Sequence, residues 1–296
     1  MKVLIGIPAH NEQQNIDKTV AFLAKTYPSY HILVISSGST DMTDDIVRRI
    51  LKQHSNVDLI AEPERRGKTF ALTKLLLRLN DGYDVMIYLG ADNIPEEGAI
   101  DKLLYRLSSD ENVGLVGGRP VPLNDPNTLA GWMTHLIWSV HHEISVHEPK
   151  VSGELCAIKA GMIYEAPPTI INDDAYLQFI VQMKGYTVSY EPSAVVYLLG
   201  PATVKDFFNQ RYRVTVGHYQ VESFLGAKLP TTYATRDVRI AWKVRKRVGI
   251  FKEGSWFLFF LIVSGLLVAK ALIDFHIRRK LPYKWKAVAS TKKLTD

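Results

Sequence analysis

Short stretches of this chain bring together side chains able to do chemistry. In order they are Pro8-Ala9-His10-Asn11-Glu12, Ser37-Gly38-Ser39-Thr40-Asp41, Arg66-Gly67-Lys68, Gly90-Ala91-Asp92-Asn93, Asn172-Asp173-Asp174 and Gln210-Arg211-Tyr212-Arg213. Asp92, with Asn93 beside it, offers hard oxygen donors of the kind that hold Mg2+ or Mn2+. Arg66 and Lys68 flank a glycine and suit an anionic leaving group. Asp173 and Asp174 are adjacent carboxylates ahead of an apolar helical stretch. There a carboxylate accepts a proton or favours the helix dipole. Arg211 and Arg213 suit a phosphate or a carboxylate.

Each stretch also has a plainer use. Asp92 suits a turn ahead of Pro95. Residues 37–41 suit a capped loop entering a helix. Glu12, Arg66 and Lys68 suit solvated positions near helix starts. Arg211 and Arg213 suit the basic face of a helix over 204–224, and His218 falls on the Arg211 face one or two turns later.

Buried strands must hold these residues. The apolar runs 2–7, 31–36, 57–61, 84–89 and 113–116 predict strands. Segments 16–26, 43–52, 68–79 and 96–107 between them carry helical periodicity. Asp44 and Asp45 suit the first turn of the second helix, and Pro95 the first position of the fourth. This βαβα order predicts a mostly parallel sheet with right-handed crossovers. Ligands on such sheets bind at the carboxyl ends of strands. Those ends are residues 8–11, 36–41, 62–68 and 90–93, all polar.

Two common nucleotide motifs are absent. Gly6-Ile7-Pro8-Ala9-His10-Asn11 does not match G-x-G-x-x-G. Gly67-Lys68-Thr69 ends like a Walker A loop, but Glu62 stands where its first glycine belongs.

Taken together, the stretches resemble a family 2 inverting glycosyltransferase of the GT-A type, over roughly residues 2–218. The resemblance implies a nucleotide-sugar donor and a hexosyltransferase-class reaction. It implies donor contacts from Pro8, Glu12, Ser37, Arg66, Lys68, Ala91, Arg211 and Arg213. It implies a metal contact at Asp92, with Asn93 adding an oxygen, and Asp174 as general base with Asp173 its neighbour. Glu154, in Gly153-Glu154-Leu155-Cys156-Ala157-Ile158, is implied on the acceptor side, with Gln210 and His218. The chain departs from the family pattern at three places. Gly90 stands where the first acid of Asp-x-Asp belongs, Ser36 and Ser37 where two acids are common, and Val214 where a tryptophan is usual. The serines leave the base of the nucleotide open.

The 296 residues carry a net charge of +6. That figure averages two unlike parts, −5 over residues 1–230 and +11 over 231–296. A basic tail on an acidic body implies an anionic partner. Within the tail, residues 256–269 carry no charge. Extended to 273, the run makes about 27 Å of helix, just short of a ~30 Å hydrocarbon core. Basic flanks including Lys252, Arg278, Arg279 and Lys280, with Trp256, Tyr283 and Trp285, resemble interface anchors. A membrane partner is therefore expected and nucleic acid is not, because an apolar run has no use against phosphates. Spanning and lying in the interface both remain open. The apolar run 3–7 is too short for a signal-peptide core, so the catalytic domain is expected on the cytosolic face.

The expected organisation is a catalytic domain over 1–230 and a membrane-associated segment over 231–296. A lipid-linked acceptor follows, either a glycolipid or a polyprenyl phosphate. Residues 129–146 combine tryptophans with His135, His141 and His142, and read as a partly apolar helix rather than a zinc site. The lone Cys156 excludes an intramolecular disulfide. Two other functions remain: a nucleotidyltransferase of related fold, and a non-catalytic membrane-bound binder of nucleotide sugars.

Overall fold

A computed structural model describes residues 1–226, 234–248 and 253–279. The expected anchors Lys252, Lys280, Tyr283 and Trp285 lie outside the described residues. The chain opens with β1 (Val3–Ala9), α1 (Ile16–Thr26), β2 (His31–Ser37), α2 (Thr43–Leu51), β3 (Val57–Glu62), α3 (Lys68–Asn80) and β4 (Val85–Leu89). It continues with β5 (Asn93–Pro95), α4 (Ala99–Ser108), β6 (Val113–Pro122), α5 (Leu129–His147), β7 (Leu155–Lys159), α6 (Asp173–Met183), β8 (Thr187–Leu198) and α7 (Val204–Leu225). Two further helices follow, α8 (Ala234–Val244) and α9 (Glu253–Leu272).

One eight-stranded sheet runs in the order β3-β2-β1-β4-β7-β6-β8-β5. Strands β3, β2, β1 and β4 are mutually parallel, as the βαβα reading requires. Strand β7 then enters antiparallel to β4 and β6. Both faces of β1 are covered. Val3, Ile5, Ile7 and Ala9 pack with α1, α2 and α4, while Leu4 faces Leu72, Leu75 and Leu76 of α3. This two-sided burial explains why β1 is apolar throughout instead of alternating. Gly6 permits the close approach of α3, since a Cβ there would lie 2.9 Å from the Leu75 side chain.

Pro95 does not open the fourth helix. It ends β5, where it faces Val196 of β8. The helix begins at Ala99, after Gly98 at φ 76°. Pairing of residues 93–95 with β8 claims the segment that the proline pattern assigned to the helix. Strand β6 runs past residue 116 to Pro122 because its pairing with β8 continues, through a register shift near Gly117.

A separate apolar cluster joins α5, α7, α8 and α9. It contains Trp132, Leu136, Phe207, Ala241, Phe257 and Phe260. Helix α9 buries the stripe Phe257, Phe260, Val263, Leu267 and Ala271. Its opposite face exposes Leu258, Ile262 and Leu266, each more than half accessible. Residues Gly254–Ile277 form the one helix among the described residues long and apolar enough to cross a membrane. Tyr212 of α7 donates to Asp274 at 2.6 Å and ties the end of that helix to the body.

Leu75 is fully buried between α3 and β1. Leu75→Ala should lower unfolding free energy by about 2–5 kcal/mol, measured by urea titration.

Candidate active site

The carboxyl ends of β1, β2 and β4 come together, and loops bind them to one another. Asn11 adopts φ 54°. Its side-chain oxygen accepts from Thr40 N–H at 2.8 Å. His10 Nδ1 donates to the Ser37 carbonyl at 2.8 Å. Asp41 accepts from Thr43 N–H at 3.0 Å and from Gln13 N–H at 3.2 Å, so it braces the entry to α2. Glu12 is buried and accepts from Asn15 Nδ2 at 3.2 Å. Pro8 lies in β1 opposite Ile35.

The loop 63–67 packs on the end of β2. Ser37 Oγ accepts from Arg66 N–H at 3.0 Å. Gly38, at φ 61°, has no room for a side chain, because a Cβ would lie 2.2 Å from Arg65 N. The exposed Arg66 guanidinium stacks 3.8 Å from the centre of the Phe70 ring. Arg65 precedes Arg66 in the same loop. Burial, and then Arg213, hold its guanidinium below the usual arginine range. Arg65 is a site cation that the sequence reading missed.

Asp92 and Asn93 sit at the turn after β4. Thr19 of α1 donates to the Ala91 carbonyl at 3.1 Å, so buried Ala91 supports this turn from beneath. Asn93 Nδ2 donates to Glu154 Oε2 at 2.7 Å and to the Glu154 carbonyl at 3.1 Å. Asn93 Oδ1 is buried with no hydrogen-bond partner. Gly90 explains the missing first acid of Asp-x-Asp. A Cβ there would lie 2.4 Å from Asn93 Nδ2, so an acid at 90 is incompatible with the Asn93 amide. Burial raises the Asp92 carboxyl above the usual range, against the pull of Lys68 and Arg213. Burial, and then Asp92, raise Glu154. These neighbouring carboxyls and the orphaned amide oxygen are hard donors that fit a divalent cation. Among the described residues no group of three or more His, Cys, Asp or Glu surrounds a common point. Oxygens of a bound ligand would have to complete the shell.

The opposite wall is the start of α6. Asp173 is buried and accepts from Tyr88 Oη at 2.6 Å. Lys68 Nζ lies 3.2 Å from Asp173 Oδ2, with its side chain 46% exposed. Partial desolvation works against the Lys68 charge. The carboxylates of Asp173, Glu154 and Asp174 outweigh it and raise the group. Asp174 accepts from Gly153 N–H at 3.2 Å. Burial, and then Asp173, raise the Asp174 carboxyl. A Cβ at Gly153 would lie 2.7 Å from Lys68 Nζ, so a larger residue there would displace the end of the lysine. Tyr88 had been hidden inside an apolar strand pattern.

Helix α7 closes the site. Gly217 lets it touch Asn172, whose Nδ2 donates to the Val214 carbonyl at 2.9 Å. Arg213 acts on Asp92 and Glu154, at the cation end. Arg211 faces Asp174 and the α8 residue Asp237, and burial lowers it to about 10. His218 shares the Arg211 side, as the helical spacing predicts. Burial, Arg211 and Lys150 lower it to about 3, so it is neutral. Gln210 is half-buried one residue before Arg211. Lys150 is a second cation that the sequence reading missed. No signal marked it, because it follows α5 in an unremarkable loop. His135 and His142 serve as hydrogen-bonding residues, to the Asn124 carbonyl and to Tyr190 respectively, each within 2.9 Å.

Two family profiles match the chain: glycosyl transferase family 2 over residues 4–148, and glycosyl transferase family group 2 over residues 83–285. A poly-beta-1,6-N-acetyl-D-glucosamine synthase of Staphylococcus aureus is 25% identical over 225 residues, covering 73% of this chain and 54% of that protein. The probable glycosyltransferase YdaM of Bacillus subtilis is 26% identical over 292 residues, covering 92% of this chain and 65% of that protein. The chain thus spans between half and two thirds of the length of these relatives. Among solved structures, the mannosyltransferase PcManGT of Pyrobaculum calidifontis, in complex with GDP-Man and Mn2+, superposes with a TM-score of 0.68 at 19% identity. That match covers 94% of this chain and 88% of the other. Glucosyl-3-phosphoglycerate synthase of Mycobacterium tuberculosis, with Mn2+ and UDP-glucose, gives 0.55 at 17% identity, over 77% and 80% of the two chains. The shared fold is of the GT-A type.

Tyr88→Phe removes a hydrogen bond from a buried carboxylate. It should cost about 1–3 kcal/mol, read by denaturant unfolding. Unchanged stability would show that Asp173 does not depend on this donor.

Proposed function

The chain belongs to glycosyl transferase family 2, and from that premise we propose that it moves a sugar from a nucleotide-sugar donor to an acceptor with inversion. One observation carries this reading. Lys68 acts on Asp92 and Glu154 at one end of the site and on Asp173 and Asp174 at the other. A single cation therefore acts on the carboxyls at both ends, where a donor diphosphate and an acceptor nucleophile would meet.

In this reading Arg213, Lys68 and Arg65 steady the diphosphate as negative charge builds on it. Pro8, Glu12, Ser37, Ala91 and Arg66 shape or brace the loops around the nucleotide. Asp92 and Asn93 would hold Mg2+ or Mn2+, and a bound ion supplies further positive charge to the leaving group. The acceptor oxygen forms a bond to the anomeric carbon as the bond to the diphosphate breaks. The electron pair leaves with the nucleoside diphosphate. Where the acceptor offers a hydroxyl, Asp174 takes its proton; a phosphate acceptor is already anionic and needs no base, and Glu154, Gln210 and His218 line the acceptor side.

The acceptor in this proposal is lipid-linked, a glycolipid or a polyprenyl phosphate, and the catalytic domain over residues 1–230 works on the cytosolic face. The segment over 231–296 would hold it at the membrane. The exposed apolar face of α9 and the +11 charge of that segment support this placement. The buried stripe of α9 lies against α7, which carries Arg211 and Arg213. That packing favours a helix lying in the membrane interface over one crossing it.

Asp174→Asn should lower kcat by roughly 10²–10⁴-fold while the donor still binds, measured by release of nucleoside diphosphate. Asp174 must be ionised to accept a proton, and its pKa is raised. In the wild type kcat/KM should therefore decline as pH falls, starting above the usual aspartate value of about 3.9. A profile flat down to that value would remove Asp174 from the role of base. Asp92→Asn should weaken activation by Mn2+, read as a higher metal concentration at half-maximal rate.

A further inference from the structure

The apolar helix over Gly254–Ile277 carries a single carboxylate. Asp274 is the one Asp or Glu in that stretch, and it is 2% exposed. An ionisable side chain in a helix of this length and hydropathy is costly and marks a functional position. Donors from two helices hold it. Tyr212 of α7 donates to Oδ2 at 2.6 Å, Lys270 donates to the same oxygen, and Arg278 donates to Oδ1 at 3.0 Å. The Lys270 ammonium also lies 4.2 Å from the centre of the Tyr212 ring. The backbone widens at this point. Ile273–Ile277 forms a π turn, closed by Arg278 N–H on the Ile273 carbonyl at 3.0 Å. Such turns are rare and gather at functional sites.

The donor from α7 stands between the two arginines of the site. Successive residues of a helix are turned by about 100°. Arg211 and Arg213 therefore flank Tyr212 on either side, while Val214 and Gly217 lie toward the far face. That face meets the start of α6, through the bond from Asn172 to the Val214 carbonyl and the close approach at Gly217. Gln220 accepts from Ile171 N–H at 2.9 Å and donates to the Thr169 carbonyl at 2.8 Å. These contacts come from residues 214–220. The half of α7 before them rests on the apolar cluster shared with α9, where the Phe207 and Phe260 rings meet edge to face at 6.4 Å. Arg211 and Arg213 belong to this half. A roll of α7 there would carry one arginine toward the site and the other away from it.

We propose that Asp274 is a positioning residue for the transfer reaction: through its bond to Tyr212 it fixes the roll of α7, and so aims Arg211 and Arg213 only while α9 is seated. Asp274 itself touches neither donor nor acceptor. This role rests on the glycosyl-transfer reading above, in which Arg213 steadies the diphosphate. Helix α9 also bears the exposed apolar face of Leu258, Ile262 and Leu266. Seating of that helix thereby becomes a condition of tight donor binding.

The test is calorimetric titration of the full chain in detergent with UDP and with GDP, each in the presence of Mn2+. Tyr212→Phe keeps the ring and removes the hydroxyl. It should weaken whichever nucleotide binds by about two- to tenfold, the worth of one hydrogen bond. Asp274→Leu should weaken it equally, and the double variant no further, because both changes remove the same bond. Asp274→Asn keeps an oxygen that accepts from Tyr212 and should retain most of the affinity. Arg278→Gln loosens the end of the helix, leaves the Tyr212 bond in place and should not change the affinity. Circular dichroism on each variant separates lost binding from lost folding. Unchanged affinity in a folded Tyr212→Phe, or losses that add in the double variant, overturns the proposal. Hydrogen exchange read by mass spectrometry supplies an arm that needs no ligand. Tyr212→Phe should speed exchange over residues 207–214, and a change confined to α9 overturns the proposal. Failure of the wild type to bind either nucleotide counts against the glycosyl-transfer reading, while the exchange arm still decides the link between Asp274 and α7.

Discussion

The buried carboxylate of Asp173 is the constraint on which the site depends. Tyr88 of β4 and Lys68 at the head of α3 hold it, from positions 85 and 105 residues away in the chain. A carboxylate this buried is stable only with such partners. Their hold fixes the first turn of α6 against the sheet. The next residue, Asp174, then meets the Gly153 backbone. Gly153 leaves room for Lys68, and Gly217 leaves room for Asn172 at the other side of the same turn. Asp174, the base of the proposed reaction, is therefore placed by its neighbour's ion pair, and the lysine that forms this pair also acts on Asp92.

Much of this was legible in the sequence, for physical reasons that differ by residue. The parallel strands were readable because they are buried on both faces, which leaves unbroken apolar runs such as Val85–Leu89. The start of α6 was readable because Asp173 and Asp174 follow an asparagine and precede an apolar helix. Pro95 misled, since proline suits both a first helical position and the end of an edge strand. Tertiary pairing with β8 decided between them. Tyr88 was invisible because a tyrosine in a buried strand looks like core until its hydroxyl partner is known. Lys150 and Arg65 were invisible because a loop lysine or arginine acquires a role only from what packs over it. In the arginine pair Arg65-Arg66, the sequence pattern favoured the second. Packing turns the second onto Phe70, while the charge of Arg213 acts on the first.

The charge asymmetry also takes on structure. Part of the tail's positive charge faces the acidic body: Arg236 and Lys243 of α8 pair with Glu148, just after α5, and with Glu143 of α5. A second part gathers on Asp274 at the far end of α9, which accepts from Arg278 at 3.0 Å. The tail thus folds onto the catalytic body while α9 keeps one apolar face free. Helix α7 stands between the two, with arginines toward the site and Tyr212 and Phe207 toward α9.

The contact between Gly90 and Asn93 has a consequence for how this sequence can change. Restoring an acid at 90 while Asn93 stays would drive a side chain into an amide that is already bonded to Glu154. Replacing Asn93 alone would leave Glu154 without its donor. Each single step is a loss, and only a joint exchange reaches the common pattern, so the two positions are epistatic. The unusual glycine is therefore locked in by its neighbour, and the two residues form one unit of inheritance.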